Sequence, residues 1–85
     1  MARKLAALEA LEPDVAVISE AVAPESESAR ILWFPSSASR LGIQVRSFGR
    51  HTLRRLPAAE LPNCVVPVRV GGSGPFNLLA VWTWP

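Results

Sequence analysis

The chain has 85 residues, 49% hydrophobic and 19% charged, with a net charge of +2. That length fits one domain or part of one, and the apolar content excludes a disordered tail. The lone cysteine, Cys64, excludes an intrachain disulfide, and no apolar run reaches the roughly 20 residues that span a bilayer, so a cytoplasmic chain without a membrane partner is expected.

Leu5, Leu8 and Leu11, separated by alanines, give a helix one apolar stripe, and Pro13 ends it by disfavouring helical geometry at Glu12. Residues 14 to 19 then read as a fully buried strand, because Val15, Val17 and Ile18 do not alternate strictly with polar residues. Helix followed closely by strand is the second half of a βαβ-like unit, whose first strand would precede Met1. Residues 23 to 30 form a polar loop, and "ILWF" (31 to 34) is a strand that Pro35 stops.

Residues 41 to 47 and 52 to 56 read as a hairpin through the turn Phe48-Gly49-Arg50-His51. Residues 57 to 62 make a connection. The last two segments, 64 to 70 and 76 to 83, form a second hairpin across Gly71-Gly72-Ser73-Gly74-Pro75. Both faces of residues 78 to 82 are apolar, which predicts a strand inside a sheet, whereas Pro67 predicts an edge or a bulge for its own strand.

Charge is unevenly divided. Residues 1 to 29 carry two basic against six acidic side chains, while residues 30 to 85 carry seven arginines against Glu60 alone. Either an ordinary solvated face or a polyanion-facing surface follows, since arginine suits phosphate.

One histidine and one cysteine cannot build a structural zinc site, and the chain has neither GxGxxG nor GxxxxGK. Lacking a lysine and a following helix, GGSGP is a hairpin loop. His51 has no carboxylate beside it and reads as structural; Ser19, Ser36, Ser37 and Ser39 lack a nucleophile-elbow setting. Alternation along their strands makes Trp33, Trp82 and Trp84 read as core-packing residues, with stacking on bases as the alternative. Glu20 stands at the carboxyl end of a strand, where ligands of open α/β sheets gather, and offers hard oxygen ligation to Mg²⁺; its plainer reading is a solvated acid.

The string "KLAALEALEPDVAVISE", residues 4 to 20, resembles the segment of the endonuclease/exonuclease/phosphatase superfamily in which a helix leads through Leu-x-Pro-Asp to a strand ending in the metal-binding glutamate. The order "ILWF", "RLGIQVRS", "CVVPVRV" and "FNLLAVWTWP" is similar too, so the resemblance covers nearly the whole chain. It implies an α/β (α+β) fold, one N-terminal helix followed by a mostly antiparallel or mixed sheet, as part of a two-sheet αββα sandwich. It also implies Mg²⁺-assisted hydrolysis of phosphate esters, with Glu20 as the metal ligand; the family has Gln-Glu where this chain has Ser19-Glu20.

By the same resemblance residues 1–85 are one partial domain, about the first third of such an enzyme. The family's asparagine-bearing strand would precede Met1, its Asp-x-Asn and Asp-His segments would follow Pro85, and His51 does not match the catalytic histidine. A truncated chain without activity of its own is expected. Two alternatives without catalysis stand beside it. One is a nucleic-acid-binding module using Arg46, Arg50, Arg54, Arg55 and Arg69. The other is an interaction module that self-associates through exposed strand edges.

Overall fold

A helix of nine residues, α1 (Ala2–Ala10), opens the chain in the computed structural model, which describes residues 2–36, 40–58, 61–62 and 64–82. Its alanines and leucines favour helix intrinsically. The last turn tightens as the amides of Leu11 and Glu12 donate to the carbonyls of Leu8 and Glu9, both at 3.0 Å. Glu12 then turns left-handed (φ 51°) and Pro13 prevents continuation. Leu5 and Leu8 are half-buried, and no residue of α1 is fully buried.

Among the described residues six strands follow: β1 (Val15–Ala21), β2 (Ile31–Pro35), β3 (Gly42–Ser47), β4 (Leu53–Arg55), β5 (Val65–Val70) and β6 (Phe76–Val81). They form two three-stranded sheets, ordered β1-β3-β2 and β4-β5-β6, and every pairing is antiparallel. The fold is thus α+β and mostly strand. Val45, Ile43 and Leu32 of the first sheet pack on Leu53, Val66, Val68, Val70 and Ala80 of the second. Alternation along β3 and β5 selects these residues, placing every second side chain in the shared core.

The hairpin across Gly71–Pro75 is present: β5 pairs with β6 from Val65↔Val81 to Val70↔Phe76, with Gly72 and Gly74 at positive φ. Three other expectations are corrected. Residues 42 to 55 do not form a hairpin, because β1 and β2 occupy both edges of β3. The chain instead leaves the first sheet at Ser47, whose hydroxyl donates to the His51 carbonyl (2.7 Å), and enters the second at Leu53.

Nor is β1 fully buried. It is an edge strand paired only with β3, and only Ile18 and Ala21 are enclosed.

The roles of the last two strands are also exchanged. β5, with Pro67, is the central strand of its sheet, and β6 is an edge that exposes Phe76, Leu79 and Val81. Pro67 is tolerated because its missing N–H faces the β4 side opposite Leu56, beyond the last paired residue of β4; the Pro67 carbonyl still accepts the Leu56 amide at 3.2 Å.

Candidate metal site

Glu20 sits in a bulge. The register of β1 on β3 passes from Ile18↔Gln44 to Ala21↔Gly42, so β1 spends one residue more than its partner. Glu20 absorbs that extra residue in a left-handed conformation, φ 52°. A glutamate there costs roughly 1–2 kcal/mol relative to an ordinary backbone.

Three contacts hold the distortion. Ala21 is fully buried, and its carbonyl accepts the indole N–H of Trp33 at 3.0 Å. The ammonium of Lys4, on α1, donates to the Ser19 carbonyl at 3.2 Å. Opposite Ala21, Gly42 leaves room for the Phe34 backbone and the Trp33 ring, which a Cβ would meet at 3.0 Å from Cε2.

The Glu20 side chain is exposed and has no hydrogen bond or ion pair among the described residues. The expectation of a carboxylate at the end of a buried, extended strand is therefore corrected: the backbone turns over at residue 20 and presents the group to water. No three His, Cys, Asp or Glu residues gather into a metal-holding group among the described residues. Asp14, Glu9 and Glu12 instead surround a cavity of about 430 Å³ beside Phe48, at the start of β1. A second cavity, about 340 Å³, lies where Leu5 faces Ile31, Gln44 and Arg46. Neither is lined by Glu20.

His51, expected to be exposed beside its turn, is half-buried. Its Nδ1 lies 2.9 Å from the Gly71 carbonyl, and its ring meets Phe76 edge-on. Trp33 and Trp82 are half-buried, Trp82 against the core; Trp84, Ser37 and Ser39 lie outside the described residues. Cys64 is free and exposed.

The arginines divide by task. Arg55 donates to Glu27 Oε1 (2.6 Å) and to the Trp33 carbonyl (2.8 Å), with its guanidinium carbon 4.8 Å from the Phe34 ring centre. Glu27 Oε1 also accepts the Trp33 amide at 2.7 Å. Both peptide groups of Trp33 on the open edge of β2 are thus capped by a charged side chain, as a neighbouring strand would cap them. Sequence reasoning had no signal for this pair, since the two residues are 28 positions apart and each sits in an unremarkable polar or basic stretch. The Trp33 amide, then the Arg55 guanidinium, holds the Glu27 carboxyl below the usual carboxylate range. Arg46 lies over Phe48, while Arg69 donates to Asn77 and stands directly opposite Arg54 on the outer face of the second sheet.

Against known protein families, curated proteins and solved structures, the chain has no match. Among the described residues no helix is long and apolar enough to cross a membrane.

Proposed function

We propose that this chain is the portion of a Mg²⁺-dependent phosphoesterase, of the endonuclease/exonuclease/phosphatase kind, that presents the metal-binding glutamate, and that Glu20 is that glutamate. One observation carries the reading: the carboxylate singled out by the resemblance occupies a strained, non-glycine, left-handed position at the carboxyl end of a strand and has no partner among the described residues. Backbone strain of this kind persists where the surrounding structure enforces it, and it clusters at active sites and ligand clamps. Two antiparallel sheets packed face to face, with a helix leading into the first, also agree with the implied sandwich.

One exposed carboxylate fits the way Mg²⁺ is commonly held, by one or two protein carboxylates with waters and substrate phosphate completing the shell. When bound, the ion would neutralise charge on phosphoryl oxygens. This chain's own contribution is the oxygen donor of Glu20, kept in place by Ala21, Trp33 and Gly42. With His51 engaged by Gly71 and no group of three metal-ligating side chains among the described residues, the 85 residues alone are expected to be inactive. A cytoplasmic, reducing setting agrees with the free, exposed Cys64.

Glu20→Gly separates strain from ligation, because glycine adopts φ 52° without penalty. The variant is expected to be as stable as the parent or up to about 1 kcal/mol more so. Paramagnetic broadening of amides 19 to 21 by Mn²⁺, clear in the parent, should disappear in it. Equal broadening in the two proteins would sink the assignment. A phosphodiesterase assay with Mg²⁺ should show no turnover in either; metal-dependent hydrolysis that vanishes in Glu20→Gly would keep the ligand and overturn the expected inactivity.

A second reading, nucleic-acid binding, is favoured by Arg54 and Arg69, like charges set opposite each other where a phosphate could lie between them. Of the five candidate arginines, Arg55 is engaged by Glu27 and points to the face opposite Arg54, so the reading rests on the Arg54–Arg69 pair. Binding to single- or double-stranded DNA that weakens with salt, and several-fold further in Arg54→Ala/Arg69→Ala, would support it; salt-independent or undetectable binding would exclude it.

A further inference from the structure

The two sheets have four outer strands, and three of them carry a device that blocks pairing with another chain. β1 is bent by its bulge, places the charge of Glu20 on the edge and has its Ser19 carbonyl taken by Lys4. β2 is closed by Ser28, which exchanges both backbone bonds with Ile31, and by Glu27 and Arg55 on Trp33. β4 is three residues long, has two arginines, and gives its Leu53 amide to the Ala29 carbonyl at 2.6 Å. Bulges, charges, short strands and covered edges are the standard defences of a sheet against edge-to-edge association.

Among the described residues β6 has none of them. Its sequence Phe76-Asn77-Leu78-Leu79-Ala80-Val81 contains no charge and no proline, and three of its six side chains are large, apolar and exposed. The Trp82 amide donates to the Cys64 carbonyl (3.0 Å), so residues 76, 78, 80 and 82 direct their backbone bonds to β5. The N–H and C=O groups of Asn77, Leu79 and Val81 therefore point outward, and none has a partner among the described residues.

We propose that β6 pairs antiparallel with β6 of a second copy, about a two-fold axis at Leu79, joining the two β4-β5-β6 sheets into one of six strands. This register bonds all three outward-facing residues: Leu79 to Leu79 of the second copy, and Asn77 to Val81 in both directions. On the outer face it gathers two Leu79 and two Val81 side chains, at 61% and 53% exposure each in the single chain, into one patch. Charge permits the pairing. The uncharged strand sets no like charges opposite each other, and the two Arg69 side chains stand three strand spacings apart and four residues out of step, about 20 Å, beyond the roughly 8–10 Å screening length. An axis at the strand's own centre also closes the assembly at two copies, because among the described residues each chain has one such edge. The inference does not depend on the role of Glu20.

Sedimentation equilibrium of the full chain over a range of concentrations tests it. The parent should show a reversible monomer–dimer equilibrium, and Leu79→Lys, which sets two ammonium groups against each other at the axis, should raise the dissociation constant at least tenfold with an unchanged circular dichroism spectrum. Val17→Lys, on the β1 edge, should leave the equilibrium unchanged. In a Cys64→Ser background, Leu79→Cys should form a disulfide-linked dimer on mild oxidation, which reports the register even if the lysine variant folds poorly. A strictly monomeric parent, open-ended polymers, or a dimer broken by Val17→Lys but not by Leu79→Lys would overturn the proposal.

Discussion

Gly42→Ala is expected to destabilise the protein by about 3 kcal/mol or more, a large share of the roughly 5–10 kcal/mol that holds a domain of this size. At this position the added methyl meets backbone. Gly42 pairs with Pro35 on one side and Ala21 on the other, and its Cβ would run into the Phe34 carbonyl oxygen while touching the Trp33 ring. A carbonyl inside a β ladder cannot swing away as the tip of a side chain can, so β2 or the bulge of β1 must move. Urea denaturation followed by circular dichroism should show a lower midpoint. Gly49→Ala is the control: nothing but the Asp14 carboxylate approaches its Cβ, at 3.9 Å, and its stability should stay within about 0.5 kcal/mol of the parent. Movement of the bulge should also accelerate amide exchange at Ala21, linking a packing defect on β3 to the geometry of Glu20.

The elements themselves were legible because local rules govern them. Pro13 and Pro35 mark ends, the Gly71–Pro75 run marks a turn, and runs of Val, Ile and Leu mark strands. Pairing was less legible where it depends on which edges are already filled. "RLGIQVRS" and "TLRRL" look like two arms of a hairpin, yet β3 has neighbours on both sides and β4 must find β5. The apolar character of β6 suggested an interior strand; it belongs to an edge, and the proline-containing β5 lies inside because β4 ends before Pro67 needs a partner.

For the candidate site, the sequence pointed to the carboxylate but to the wrong environment for it. Nothing in "VAVISEA" announces a bulge, since the residue that turns left-handed is a glutamate where glycine is the usual signal. The cause lies elsewhere in the chain, in a tryptophan that holds the Ala21 carbonyl and a glycine that lets Phe34 approach.

Arg55→Met should cost roughly 1–2 kcal/mol, and the loss should depend on pH. The substitution removes a guanidinium that bridges Glu27 and the Trp33 carbonyl and lies over the Phe34 ring, while keeping apolar bulk against that ring. The salt bridge is partly exposed, at 45% and 41%, so solvent screening leaves it only a fraction of the total. Lysine in place of Arg55 should restore less than half, because one ammonium cannot reproduce a planar fork reaching two acceptors. The sign with pH follows from Glu27, whose carboxyl is held below its unfolded value by the Trp33 amide first and Arg55 second. Its contribution is fully present above the unfolded pKa of about 4.5 and fades as pH falls through the lower folded value. Parent and Arg55→Met should therefore differ most near neutrality and less in acid, where the protonated Glu27 no longer attracts the guanidinium while the guanidinium's bond to the Trp33 carbonyl and its ring contact persist. Thermal melts at matched ionic strength from neutrality to about pH 3 read this directly, and a gap that stays constant or widens in acid would mean that the Trp33 carbonyl bond and the ring contact account for Arg55 without Glu27. A slower loss in Glu27→Gln than in Arg55→Met would show which half of the cap matters more at the β2 edge: the amide can still accept the Trp33 N–H, whereas nothing replaces the donor to its carbonyl.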